Sequence, residues 1–247
     1  MTMTMNKTAL VTGGARGIGA AICRELASMG YHIAINYNSS LEAAQSLKAE
    51  LSGITEVGLY QADVSDSAQV AEMFKAIEQE LGGVDVLVNN AGIAQQALLT
   101  DITDDMWRKM LGTNLTGVFN CCRSALPYMI NQKQGVIVNV SSMWGQVGAS
   151  MEVHYSAAKA GVEGLTKALA KEVGLSGIRV NAVSPGVVLT DMMAQFSEAD
   201  KEVLKDETPL NRLGAPEDIA HAVAFLCSDK AGFITRQIIP VNGGYVI

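Results

Sequence analysis

Short apolar runs alternate with amphipathic stretches along almost the whole chain. Seven of these runs read as strands: Thr8 to Thr12, Tyr31 to Asn36, Val57 to Gln61, Val84 to Asn89, Gly135 to Val140, Ile178 to Ser184 and Gln237 to Val241. Helical periodicity fills the intervals, so the chain reads as repeated strand-helix-strand units. Such repetition predicts an α/β fold of Rossmann type: one doubly wound parallel sheet with right-handed crossovers and helices on both faces. Strands covered on both sides are apolar throughout, and the composition agrees, with 49% apolar residues and only 17% charged. With 247 residues, no linker-like stretch, no internal repeat and no low-complexity tract, residues 1–247 read as a single domain. Ligands are then expected beyond the carboxyl ends of the strands.

Charge and cysteine usage narrow the function classes. A formal charge of -7 disfavours binding to nucleic acid or to an anionic membrane surface, while leaving room for a local positive pocket. No apolar run approaches membrane-spanning length, and Met1 to Asn6 is too short and polar for a signal peptide, so a cytoplasmic location is expected. The repeated Met-Thr at the start carries no functional signal. Cys23, Cys121, Cys122 and Cys227 show neither C-x-x-C pairing nor metal-ligand spacing with the three histidines. They read as reduced core or interface thiols, and no metal site is expected.

Two stretches carry chemistry. The first strand runs into Thr12-Gly13-Gly14-Ala15-Arg16-Gly17-Ile18-Gly19, followed by a helix predicted to reach about Met29. Glycines at 13, 17 and 19 permit a tight turn, a close backbone approach to a pyrophosphate and close helix packing, and the helix start offers amide donors. Gly13, Arg16, Gly17, Ile18 and Gly19 are therefore candidates for dinucleotide binding, a structural turn being the alternative. The second stretch is Tyr155-Ser156-Ala157-Ala158-Lys159, whose Ala-rich continuation to Ala170 predicts a helix with Tyr155 and Lys159 at i and i+4 on one face. A free tyrosine titrates at about 10; bringing it to about 7 takes roughly 4 kcal/mol, which one cation in a partly desolvated cleft can supply. The pair reads as a tuned acid or base.

The spacing G-x-x-x-G-x-G joined to Y-x-x-x-K resembles the classical short-chain dehydrogenases/reductases over essentially the whole chain, and among them the 3-oxoacyl-thioester reductases of fatty-acid synthesis. Further matches carry the resemblance: Asn89-Asn90-Ala91-Gly92 after the fourth strand, Asn114 in Leu111 to Gly117, Ser142 thirteen residues before Tyr155, the Pro185-Gly186 segment, Asn211 to Ala220, and Val241 to Gly244. It implies hydride transfer between a nicotinamide cofactor and a ketone or secondary alcohol. Tyr155 would be the proton donor, Ser142 would orient the carbonyl, Lys159 would lower the tyrosine pKa and bind ribose hydroxyls, and Asn114 would support a water relay. Ser141 is the alternative to Ser142. For the cofactor it implies Asp63 and Val64 at the adenine, Asn90, Ala91 and Gly92 at its ribose, and Pro185, Gly186, Val188 and Thr190 at the nicotinamide. Thr190 to about Pro209 reads as a mobile lid, whose Met192, Met193 and Phe196 either touch an acyl chain or pack on the body.

Cofactor choice follows from the end of the second strand. NAD-binding members of such folds place a carboxylate there, whereas this chain has neutral Asn36 followed by Asn38 and Ser39, with Arg16 available to pair with a 2′-phosphate. NADP(H) is favoured over NAD(H). His154 reads as a solvated or cleft-edge histidine, because it points to a different helix face from Tyr155. The resemblance also implies a homotetramer, with Ala160, Gly161 and Gly164 allowing close helix contact. It further implies two basic surface positions near the cleft for acyl carrier protein. Lys133 occupies one and Ser176 stands at the other, so a coenzyme A thioester or another small ketone stays open as substrate. Arg236, where the family commonly has glycine, predicts a remodelled loop. The alternatives are a dehydrogenase of a sugar, polyol or other secondary alcohol, and a non-catalytic dinucleotide-sensing protein.

Overall fold

The computed structural model describes residues 7–193 and 196–246, with Met192 described by its backbone alone. Met1 to Asn6 and the side chain of Met192 thus lie outside the described residues. Strands β1 (Thr8–Val11), β2 (His32–Tyr37), β3 (Val57–Gln61), β4 (Val86–Asn89), β5 (Gly135–Val140), β6 (Ile178–Pro185) and β7 (Ile238–Val241) match the predicted runs to within about two residues. All are parallel and form one sheet in the order β3-β2-β1-β4-β5-β6-β7. Between them lie α1 (Gly17–Ser28), α2 (Leu41–Leu51), α3 (Ser67–Leu81), α4 (Asp104–Leu111), α5 (Gly117–Gln132), α6 (Met143–Val147), α7 (Val153–Val173), α8 (Glu198–Asp206) and α9 (Pro216–Cys227). None of the described helices is long and apolar enough to cross a membrane.

The period of two along each strand sorts the core into two layers. Ala9, Val11, Ile33, Ile35, Val86, Val88 and Val138 pack with Ile22 and Leu26 of α1, Leu47 of α2 and Val223 of α9. Leu10, Ala34, Leu87, Ile137 and Val180 pack on the opposite face with Val70 and Ile77 of α3, Met129 of α5 and Val162 of α7. All four cysteines are buried and free.

One polar ladder crosses this apolar core. Asn89 Nδ2 donates to Asn139 Oδ1 at 2.8 Å, and Asn139 Nδ2 donates to Thr166 Oγ1 at 2.8 Å, tying β4 and β5 to the middle of α7. Buried side-chain bonds of this kind set a register that hydrophobic contact alone leaves free.

Two segments singled out in the sequence take the following paths. Arg236 sits in the left-handed region at φ 67°, and its amide donates to the Val180 carbonyl at 2.7 Å. The chain thus accommodates arginine in the conformation glycine favours, at a cost of about 1 kcal/mol, and does not abandon that conformation. The lid segment contains α8, entered through a capping box in which Ser197 and Asp200 bond each other's backbone amides.

Candidate active site

The chain order reverses between β1 and β4, and a cleft of about 800 Å³ opens there across the carboxyl ends of the strands. Its floor is the glycine loop, held from below. Thr12 Oγ1 accepts from the amides of Asn90 and Ala91, both at 3.0 Å, while Asn90 Nδ2 donates to the carbonyls of Thr12 and Gly13. Gly13 and Gly17 adopt φ of 59° and 52°, and a Cβ at Gly19 would fall 2.3 Å from the Gly13 carbonyl oxygen. No larger residue fits that turn without moving it.

β5 ends in Ser141-Ser142 and α7 brings Tyr155 and Lys159 opposite. Ser142 caps α6, its Oγ accepting from the Trp144 amide at 3.2 Å. Gly145 lets α6 press on α7, since a Cβ there would lie 2.9 Å from the Lys159 carbonyl carbon. Lys159 is 5% exposed; its Nζ donates to the Val140 carbonyl at 2.9 Å and stands 5.7 Å from the centre of the Tyr155 ring. Ser141 Oγ is directed elsewhere, to Glu163 Oε1 at 3.0 Å and to the Lys159 carbonyl at 3.3 Å, which leaves Ser142 as the hydroxyl beside the phenol.

The electrostatics differ from the sequence expectation. Burial pushes the Tyr155 phenol up to about 12; the Ser142 hydroxyl pulls it down and the Glu152 charge adds to the rise. Burial pushes the Lys159 ammonium down to about 8. Desolvation is thus the largest influence on both groups, and it favours the neutral phenol of Tyr155.

Asn114 lies on a π turn, Gly112–Thr116, between α4 and α5, and is wholly buried. Its Oδ1 accepts from the Ile93 amide at 2.9 Å and its Nδ2 donates to the Ile93 carbonyl at 2.8 Å. A Cβ at Gly92 would sit 2.8 Å from Asn114 Oδ1 and 3.6 Å from Lys159 Nζ, so this glycine leaves room for both side chains at the cleft. Such π turns recur at functional sites because they break the regular helix ladder.

A family model described as "Enoyl-(Acyl carrier protein) reductase" matches residues 13–246. The 3-oxoacyl-[acyl-carrier-protein] reductase FabG of Staphylococcus aureus is 46% identical over 244 residues, 98% of this chain and 99% of its own. An acetoacetyl-CoA reductase of Rhizobium meliloti is 47% identical over 241 residues, 97% of this chain and 98% of its own. An uncharacterized oxidoreductase, YmfI of Bacillus subtilis, is 44% identical over 243 residues, 98% and 99%. This chain is a short-chain dehydrogenase/reductase.

Short-chain dehydrogenases/reductases are oxidoreductases that use a nicotinamide dinucleotide, and the cleft fits one. Gly13, Arg16, Gly17, Ile18, Gly19, Asn36, Asn38, Ser39, Asp63, Val64, Asn90, Ala91 and Gly92 line one end. Pro185, Gly186, Val188 and Thr190 line the other, with Ser142, Tyr155 and Lys159 between. Thr190 Cγ2 approaches within 3.5 Å of where a Gly17 Cβ would be, so the segment after β6 folds back over the glycine loop.

Within this family member several side chains are placed differently from the sequence reading. Asn36 is spent internally: its Oδ1 accepts from the Gly13 amide and its Nδ2 donates to the carbonyls of Tyr60 and Ala62. Arg16 pairs with Asp191 at 3.3 Å, both widely exposed, and Asp63 Oδ1 accepts from the Ser65 amide and hydroxyl. His154 is corrected from cleft edge to interior, being fully buried with no partner among the described residues on either ring nitrogen. Gly161 packs inside the subunit, where a Cβ would meet Leu115, while Gly164 faces open space.

Lys133 and Ser176 are also corrected. They adjoin each other, a Gly177 Cβ falling 2.3 Å from the Lys133 carbonyl oxygen, beside the starts of β5 and β6. Six strand residues put them about 20 Å from this chain's own cleft, at the opposite end of the sheet. Missed altogether were Glu152, a half-buried cleft carboxyl at the N-cap of α7 three residues before Tyr155, and Glu163, four residues after Lys159; i−3 and i+4 spacing could have flagged them.

Proposed function

We propose that the chain is an NADPH-dependent reductase that converts 3-oxoacyl thioesters to 3-hydroxyacyl thioesters. The observation that carries this reading is the convergence of a phenol, Tyr155, with the Ser142 hydroxyl and the Lys159 ammonium in a cleft continuous with the glycine loop. A phenol so placed can give its proton to a ketone oxygen as that oxygen gains charge. The relatives named for 3-oxoacyl-[acyl-carrier-protein] and acetoacetyl-CoA reduction support the substrate class.

A nicotinamide held in this cleft would supply the hydride for the ketone carbon. Ser142 donates a hydrogen bond to the carbonyl oxygen and orients it, and Tyr155 gives its proton to that oxygen as charge develops. Lys159 acts after the transfer: its ammonium stabilises the phenolate that remains, returns a proton to it, and holds ribose hydroxyls. Asn114, through its tie to Ile93 and its place beside Lys159, supports the water path that recharges the lysine. Arg16, Asn38 and Ser39, with no carboxylate between Asn36 and Ser40, receive the 2′-phosphate. The exposed Arg16–Asp191 pair is weak enough to exchange for a phosphate.

The enzyme acts as a single-domain cytoplasmic homotetramer, with exposed Ala160 and Gly164 on α7 available to a neighbouring copy. The test is NADPH consumption with acetoacetyl groups carried on coenzyme A and on acyl carrier protein. Turnover on either, lost by at least about 1,000-fold in Tyr155→Phe with NADPH binding retained, supports the assignment. Tight NADPH binding with turnover of neither thioester would redirect the search to ketones and polyols, and NADH binding as tightly as NADPH would overturn the cofactor choice.

A further inference from the structure

The chain beyond β7 makes contacts that the reaction as described does not use. Gly243 and Gly244, at φ of 63° and 87°, turn the chain back against Thr208 and Pro209; a Cβ at either would meet those residues at 2.6 and 3.0 Å. The Leu210 amide donates to the Gly243 carbonyl, and Asn242 closes the turn through the Gly244 amide and the Val246 carbonyl. Tyr245 is thereby delivered between two walls of the cleft. Its hydroxyl donates to the Glu207 carboxylate at the end of α8, and its ring stands edge-on to Trp144, centres 6.2 Å apart at 86°. Trp144 lines the cleft two residues beyond Ser142, and Leu204 of α8 lines it from the other side.

We propose that Tyr245 is a positioning residue for substrate length: it braces Trp144 and the foot of α8, so that the acyl end of the cleft closes on a fixed aromatic wall and short 3-oxoacyl groups are preferred. The inference rests on the thioester-reductase reading above. Trp144 and Leu204 line the same cleft as Ser142 and Tyr155, so a wall held in place there bounds the space open to an acyl chain. An edge-to-face ring pair adds attraction beyond its buried area, which favours the indole rotamer that makes it. Released from Tyr245, Trp144 can rotate out of the cleft and α8 can shift, lengthening the subsite without touching Tyr155 or the glycine loop.

The experiment compares kcat/KM for acetoacetyl-CoA and 3-oxooctanoyl-CoA in the full chain, with NADPH affinity measured alongside. In Tyr245→Ala the octanoyl-to-acetyl ratio should rise about 10-fold, carried by a lower KM for the longer substrate, with acetoacetyl kcat and NADPH affinity within about twofold of the parent. Tyr245→Phe, which keeps the ring and loses only the Glu207 bond, should recover most of the parental ratio. Trp144→Ala should reproduce the shift from the other partner of the contact, and it decides the matter if Tyr245→Ala does not fold. An unchanged ratio in both alanine variants, or equal falls in kcat on both substrates, overturns the proposal while leaving the thioester reading intact. Failure of the parent enzyme on both substrates overturns that reading and the proposal with it.

Discussion

The two sides of the cleft are built by different means. On the dinucleotide side the loop 12–19 is bonded from beneath by Thr12, Asn36 and Asn90 through donors and acceptors shielded from water. On the substrate side the segment from Thr190 to Leu210 carries solvent-facing ion pairs, two of them local, Lys201–Glu198 and Lys205–Glu202, and one reaching back to the glycine loop, Arg16–Asp191. Buried bonds cost their full desolvation penalty when one partner is lost, whereas exposed pairs contribute little. The cofactor side is thus pre-formed and intolerant, and the substrate side is cheap to change. That division suits a family in which one hydride chemistry serves many substrates.

The largest expected break is Gly19→Ala. Its Cβ would overlap the Gly13 carbonyl and the Asn90 amide group, so the loop must shift, costing about 3 kcal/mol and about 100-fold in NADPH affinity. Fluorescence titration with NADPH and a urea melt read the two effects, and a variant with parental affinity would show that the loop is softer than its bonding indicates. Next comes Thr12→Val, which keeps shape but strands the amides of Asn90 and Ala91. Roughly 2 kcal/mol of stability should be lost, read by denaturant midpoint.

A smaller effect, opposite in sign, is expected at His154 on α7. Burial holds this imidazole below its ordinary pKa, so the unfolded chain takes up a proton below about 6.5 that the folded protein refuses. The histidine therefore costs nothing extra well above that pH and destabilises increasingly as pH falls below it. His154→Leu should raise stability by about 1 kcal/mol near pH 8 by removing unbonded ring nitrogens, and by more near pH 5.5; equal melting shifts at both pH values would refute the titration. Smallest is Asp191→Ala. Loss of the exposed pair with Arg16 should cost under about 0.5 kcal/mol, and a larger cost would mean that the lid is anchored there.

Periodicity and local chemistry account for the architecture and most of the site. Seven apolar runs placed the strands because burial on both faces leaves no other composition, and the glycine loop was legible because a tight turn at a helix start admits only glycine. Tyr155 and Lys159 were legible for a similar reason, since i+4 spacing fixes a helix face without any tertiary knowledge. What spacing does not carry is distance and solvent. The neutrality of Tyr155, the sealing of Asn36 under the glycine loop, the burial of His154 and the place of Lys133 and Ser176 at the far end of the sheet all depend on which distant segments pack alongside. Tyr245 is the extreme case: 101 residues separate it from Trp144, and only the closing of the tail against the lid brings the two rings together. Local sequence sets backbone conformation and side-chain face; desolvation and long-range contact are properties of the folded whole, and those decide which acid is an acid and where the cleft ends.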